Sequence, residues 1–296
     1  MSPARRGTAA ALASVVIWAL VPVGTRFFVQ RIDPYLFNSV RFLAAGCAAL
    51  PLFLHARPWR WPPPDIALLA VCAVLAIPGY HIPVALGART LTAGELGVLI
   101  ATEPVMIAAL TLLMTRRGFN RRLAGGSLTA LVGVCVTSGV LDSTQKFEPI
   151  GTLEVLAGAL SWSCYTVLTG RLTQRYGSFA VTGAIVVLGA IVLLAASLPM
   201  VTSPMLPDRM TLLLLASMGI ASSLGGFVLW NYAAAIVPAE RLGLYLYMIP
   251  IVSIYGGVQF LAEPMNLKIL LGAALTVFGV WIACREPMTR VVPLID

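Results

Sequence analysis

Apolar residues in this chain neither alternate in twos nor mark a single helical stripe. They run in blocks of about 20 residues, each closed by proline, glycine or charge. At 1.5 Å per residue, a block of that length crosses the ~30 Å hydrocarbon core of a bilayer as one helix. Ten such blocks are predicted: Thr8–Val29, Pro34–Leu54, Asp65–Leu86, Ala93–Met114, Arg121–Val140, Ile150–Gly170, Ser178–Leu198, Thr211–Tyr232, Glu240–Leu261 and Leu267–Cys284. The longest polar stretches, around His55 to Asp65, Leu141 to Gly151 and Met200 to Met210, are only loops. The first block follows Arg5 and Arg6 but is too long for a signal-peptide core, and no clear cleavage site follows. It reads as a retained span.

Composition removes the alternatives. Of 296 residues, 59% are apolar and 11% charged, and the mean hydropathy is +0.90. A soluble domain has about a quarter of its residues charged, so a soluble fold of this size could not cover itself. Disorder is excluded by the same apolar content. The net charge of +8 comes from residues spread through the loops, which form no patch for a nucleic acid.

With the N-terminus in the cytoplasm, thirteen loop or terminal basic residues, including Arg5, Arg6, Arg116, Arg117, Arg121, Arg122 and Arg285, face the cytoplasm. Five, namely Arg31, Arg89, Lys146, Arg209 and Lys268, face the other side. Both termini are then cytoplasmic, in an inner (plasma) membrane. Trp59, Trp61 and Trp281 fall near the predicted interfaces and read as aromatic anchors. Cys47, Cys72, Cys135, Cys164 and Cys284 lie in apolar runs without a C-x-x-C spacing. They read as small core residues, with neither a metal site nor a disulfide framework.

The two halves resemble each other. Shifted by 146 positions, Gly79 falls on Gly225, Ala88 on Ala234, Ala93 on Ala239, Leu96 on Leu242 and Gly97 on Gly243. Pro104 then falls on Pro250, Gly126 on Gly272 and Gly133 on Gly279, with no gap. Near the start the shift is 144, which lays Leu12, Ala13, Trp18 and Thr25 on Leu156, Ala157, Trp162 and Thr169. Five spans per unit is an odd number, so the second unit enters the membrane upside down. Inverted repeats are a transporter signature, with the solute site near the midplane between them.

These residues resemble the drug/metabolite transporter superfamily, in its ten-span EamA-type branch. The markers are mid-helix Trp18 and Trp162, Pro34 with Arg41 and Phe42, then Pro104, Gly126 and Gly133. A fuller copy follows in Met248, Ile249 and Pro250, in Leu261, Ala262, Glu263 and Pro264, and in Gly272 and Gly279. One departure stands out: the first-half position matching Glu263 is Arg117. Within the branch the chain is most similar to YddG-type exporters of aromatic amino acids. The resemblance implies a transporter of small metabolites and does not by itself fix the solute.

The residues also bound the chemistry. The two lysines, Lys146 and Lys268, do not follow a glycine, so no G-K-[ST] phosphate loop exists. No H-E-x-x-H or G-x-S-x-G occurs. Energy must come from a gradient. Ionisable residues inside a membrane are costly and are functional candidates by default. Arg41 lies about 7 residues into its span, roughly 10 Å deep, and Glu103 about 10 residues in, roughly 15 Å deep, both from the outer side. They are candidates for a buried pair. Arg41 can bind a carboxylate in bidentate fashion or tie helix ends together, and the family's general possession of a similar arginine favours the second. Glu103 precedes Pro104, whose ring frees a carbonyl and bends the helix. It can face a cavity and carry protons, or pack as a neutral acid. Arg26 is near a span end and can snorkel.

Tyr80 and His81 sit between Pro78 and Pro83, where the third span should bend and line a cavity. His81 is a ligand donor, a proton acceptor or a satisfied interior histidine. Trp18 and Trp162 are too deep for an aromatic belt and either pack or line the centre. Tyr165 shares the face of Trp162 at i+3. Phe227 ends the glycine-containing stretch from Ser222, and Asn231 and Tyr245 complete the candidate set.

The predicted fold is therefore an all-α integral membrane protein of ten transmembrane helices in two inverted five-helix repeats. Residues 1–145 form the first repeat, 146–290 the second, and 291–296 a short cytoplasmic tail. The expected function is export of a small metabolite, best matched by an aromatic amino acid, by alternating access, facilitative or proton-coupled. Expected solute contacts are Trp18, Tyr80, His81, Glu103, Trp162, Tyr165, Phe227, Asn231 and Tyr245; Arg41, Pro78, Pro83, Pro104 and Pro250 are structural or gating. The expected partners are a small-molecule solute and the lipid bilayer, with no nucleic acid, cofactor or metal, in a monomer or homodimer. A drug or toxin exporter is one alternative and a membrane enzyme or scaffold another.

Overall fold

The apolar blocks become helices, and 88% of the described chain is helical. The computed structural model describes residues 3–115, 121–137, 148–202, 206–234, 236, 246, 248–264 and 267–283. Among these, six helical segments are long and apolar enough to cross a membrane: Arg5–Val29, Pro34–Arg60, Pro63–Gly87, Ala93–Thr111, Ser178–Met200 and Arg209–Ala233. Shorter apolar helices cover Ala124–Thr137, Met248–Leu261 and Leu267–Gly279. The Pro149–Tyr176 helix has 28 residues. Tyr245, Arg117 and Cys284 lie outside the described residues.

Helix ends follow local chemistry. The Pro34–Ala56 helix starts with Pro34 at its first position, behind Asp33, whose carboxylate accepts from the Tyr35 and Leu36 amides at 2.9 and 3.2 Å. The other carboxylate oxygen of Asp33 accepts from the Thr202 hydroxyl at 2.7 Å, fastening this helix to the far end of the Ser178–Ser197 helix. Partial burial opposes ionisation of Asp33, but the bonds from Thr202, Leu36 and Tyr35 outweigh it and hold its pKa below the usual carboxylate value. A depressed acid stabilises the fold above its unfolded pKa, and that contribution is lost as pH falls through the folded value. Asp33→Ala is expected to cost about 1 kcal/mol at neutral pH. Asp33→Asn keeps a cap but should flatten the acid limb of stability. Thermal unfolding in detergent between acid and neutral pH checks both.

Four of the spans are interrupted. The first breaks at Leu20, just before Pro22, and resumes as Val21–Val29. The third breaks at Ile77, where Pro78 restarts the helix. The fourth breaks between Ile100 and Glu103, just before Pro104. The Arg209–Ala233 span widens into a π-helix over Gly219–Gly226. No break falls at the other two prolines expected to bend: Pro83 lies inside the Pro78–Gly87 helix, and Pro250 lies in the first turn of Met248–Leu261. Pro22, which is not one of the expected bends, marks a break. Carbonyls exposed near the third-span break find side chains: Ser161 donates to Leu75 O at 2.9 Å and Asn38 to His81 O at 2.9 Å. Irregular backbone inside a membrane survives only when its polar groups are met in this way.

The packing pairs helices antiparallel. Gly46 faces Ala190 while Gly183 faces Leu52 and Phe53, so Pro34–Ala56 and Ser178–Ser197 run in opposite directions. Gly94 faces Ile254 and Gly97 faces Pro250, which makes Ala93–Ile100 and Met248–Leu261 antiparallel as well. Gly133 meets the Gly272 carbonyl and Gly279 meets the Gly126 carbonyl, so Arg121–Thr137 and Leu267–Ala283 are antiparallel too. Small residues at these crossings let backbones approach closely, which is how helices associate without a hydrophobic drive between them.

Charges collect at the ends. Asp65, almost fully buried, accepts from Arg175 at 2.8 Å and from the Tyr176 hydroxyl at 2.6 Å. Trp61 stacks flat on Tyr176, 3.7 Å between ring centres. Trp61 is therefore a packed part of this junction, unlike exposed Trp59, and not a free interfacial anchor. At the other end Arg26 donates to the Ala88 and Arg89 carbonyls, both at 2.8 Å, and pairs with Glu263 at 3.5 Å. Glu263 in turn accepts from the Ala93 amide, the first of its helix. Arg26 thus has specific partners in addition to lying near a span end.

Candidate functional site

The broken spans meet around a central cavity of about 50 Å³. Of the candidate residues, Trp18, Arg41, Tyr80, His81, Glu103, Trp162 and Phe227 line it. The breaks explain their placement. The kink at Ile77 turns Tyr80 and His81 inward, and the restart at Glu103 puts that carboxyl at the head of a half-helix. Trp18 and Trp162, equivalent under the repeat shift, meet edge to face with ring centres 5.7 Å apart. Phe227 stands edge-on to both, at 6.0 and 5.1 Å.

Two candidates lie behind this wall. Tyr165 packs 5.0 Å from Trp162 and is buried, but it does not border the cavity. Asn231 donates to the Thr182 hydroxyl at 2.6 Å and ties two helices together. Of the expected bends, Pro78 and Pro104 flank the cavity at helix breaks, whereas Pro83 and Pro250 sit in continuous helix.

The polar groups are few and deeply buried. Arg41 is 1% exposed. Its Nη2 donates to the hydroxyls of Ser222 and Ser223 at 3.2 and 3.4 Å, while its Nε has no partner. Among the described residues, no carboxylate lies within ion-pair distance of Arg41, so it does not pair with Glu103. Glu103 is 4% exposed and its Oε1 is unpartnered. The Tyr80 hydroxyl lies beside the Glu103 carboxyl and within electrostatic reach of Arg41. His81, beside Phe42 at 4.6 Å between rings, leaves Nε2 unpartnered.

Sequence reasoning missed part of the lining. Ser222 and Ser223 stand in a stretch noted for its glycines, and neither is among the expected solute contacts.

 Thr25, Phe37, Leu246 and Ile249 also border the cavity. The available signal was a pair of adjacent hydroxyls, Ser222 and Ser223, within an otherwise apolar span. The π-helix is what aims both at Arg41. Its register is held from the first span: Trp18 Nε1 donates to Ser222 O and the Ser14 hydroxyl to Gly226 O, each at 3.0 Å.

The family model of the EamA-like transporter family matches residues 5–139 and again residues 149–285. The chain belongs to the EamA-like transporter family. It is a multi-pass membrane protein of that family, within the drug/metabolite transporter superfamily. An uncharacterized transporter of Archaeoglobus fulgidus is 25% identical, over 92% of this chain and 96% of that one. A "probable terminal-alkyne amino-acid exporter" of Streptantibioticus cattleyicolor is 26% identical, over 85% and 83%. A "probable amino-acid metabolite efflux pump" of Salmonella typhimurium is 22% identical, over 92% of each. A solved crystal structure shares the fold with a TM-score of 0.65 at 19% identity, covering 94% of this chain and 96% of that one.

Proposed function

We propose that this EamA-family transporter exports small amphiphilic metabolites, aromatic amino acids above all, through the central cavity by alternating access. The observation that carries this reading is the cavity wall. Three aromatic rings, Trp18, Trp162 and Phe227, stand beside a small set of buried polar groups, which suits a solute with one apolar and one polar end. Phosphorylated solutes would need more basic groups than Arg41 and His81 supply. The names of two relatives support an amino-acid solute.

The same proposal includes ten spans in two inverted repeats, with both termini in the cytoplasm of an inner-membrane protein. The antiparallel crossings support the inversion. Arg121–Thr137 and Leu267–Ala283 are mates under the 146 shift, and their contact is reciprocal: Gly133 on Gly272 maps onto Gly279 on Gly126. Thr276 donates to the carbonyl of Ala130, its own counterpart, at 3.4 Å. Trp18 and Trp162, mates under the 144 shift, also touch. Self-pairing of equivalent residues is what a pseudo-two-fold axis through the cavity produces.

Purified protein in liposomes should take up labelled phenylalanine, tryptophan or tyrosine saturably. Uptake without a pH gradient indicates a facilitative carrier, and gradient-dependent accumulation indicates proton coupling. Folded protein that moves no amino acid, with or without a gradient, sinks the amino-acid assignment.

A further inference from the structure

We propose that the cavity reads an amino acid by two unlike charged poles: Arg41, with Ser222 and Ser223, takes the α-carboxylate, and Glu103, with Tyr80, takes the α-ammonium. This deepens, and rests on, the transport reading above. The argument starts from two buried side chains, one basic and one acidic, that border one cavity without forming an ion pair with each other. Arg41 has its two serine contacts, a free Nε and no carboxylate partner among the described residues. Glu103 has a free Oε1 and no cationic partner among them. A buried charge is held at a cost unless it is paired and hydrogen-bonded. A direct Arg41–Glu103 bond would relieve both, but the gap exceeds ion-pair distance. A zwitterion placed between them satisfies both at once.

The surroundings match that occupant. The serine hydroxyls accept from the guanidinium at 3.2 and 3.4 Å, holding its Nη2 in place while Nε stays available to a carboxylate oxygen. His81, with Nε2 unpartnered, adds a polar group near the arginine pole. Tyr80 lines the same cavity, close enough to both Arg41 and Glu103 to feel each electrostatically. The rings of Trp18, Trp162 and Phe227 take the side chain. A neutral aromatic drug brings neither charge and would leave both poles unpaired, so the device also selects against such compounds.

The test is competition against uptake of labelled phenylalanine into liposomes by the unmodified protein. The competitors are phenethylamine and phenylalaninamide, which lack the carboxylate, and 3-phenylpropionate, which lacks the ammonium. Each should compete roughly tenfold or more weakly than phenylalanine, as expected when a charge-assisted bond is lost. Phenethylamine or phenylalaninamide competing as well as phenylalanine would overturn the arginine pole, and 3-phenylpropionate doing so would overturn the glutamate pole. Glu103→Gln, with its melting temperature checked, gives a second reading. It should weaken competition by phenylalanine roughly tenfold and leave 3-phenylpropionate unchanged; equal weakening of both overturns the assignment. If phenylalanine is carried and all analogues compete equally, the two-pole inference falls and the transport function stands. If phenylalanine is not carried at all, both fall.

Discussion

Trp162→Ala is expected to cut phenylalanine uptake roughly tenfold and to lower the melting temperature of the purified protein. The indole is 6% exposed and is the hub of the aromatic wall. Its ring centre lies 5.7 Å from Trp18, 5.4 Å from Tyr80, 5.0 Å from Tyr165 and 5.1 Å from Phe227. Truncating a buried aromatic to alanine costs about 3–5 kcal/mol, because neighbours only partly collapse into the space. Here lipid tails give little drive for helices to associate, so lost packing is felt directly. Trp162→Phe separates the two roles. It keeps a ring against its neighbours and should cost less than the alanine change because it leaves a smaller void, with uptake between wild type and the alanine variant. Circular dichroism melts and uptake on the same preparations decide the matter. A Trp162→Ala protein with unchanged melting and unchanged uptake would remove this residue from both the core and the cavity wall.

Depth along a span was legible in the sequence; direction around it was not. The blocks of apolar residues marked the helices, and Pro78 and Pro104 marked two of the breaks that open the centre. Trp18 and Trp162 were too deep for an interfacial belt, and the repeat shift set them opposite one another, where they touch at 5.7 Å. Arg41 and Glu103 were similar in depth, but similar depth does not decide contact between two helices, and no ion pair joins them. Tyr165 and Asn231 sit at plausible depths, yet Tyr165 packs on Phe227 of another helix and Asn231 bonds Thr182. The π-helix was beyond local reasoning. Gly219, Gly225 and Gly226 lower helix propensity, but the register is set by Trp18 and Ser14, some 200 positions away in the chain. Trp61 was misread for a related reason: its partner, Tyr176, lies in the other half of the chain.

Gly133→Ala and Gly279→Ala should each destabilise the protein by about 3 kcal/mol, to nearly the same extent. An added Cβ at Gly133 would come within 2.6 Å of the Gly272 carbonyl oxygen, and at Gly279 within 2.5 Å of the Gly126 carbonyl oxygen. Both obstacles are backbone, so no side chain can swing aside and the two helices must separate. The reciprocity of the contact is why the costs should match: each substitution strikes the same crossing from the opposite partner. Once one methyl has forced the helices apart, the second meets less resistance, so the double variant should lose less than the sum of the singles. Gly125 supplies the control. It lies on the same helix as Gly133, with nothing within 4 Å of an added Cβ, so Gly125→Ala should gain up to about 1 kcal/mol through helix propensity. Unfolding of the four variants in detergent tests the set. Equal, small effects at all three positions would mean that the crossing tolerates separation, and would take away the close contact on which the pseudo-two-fold argument relies.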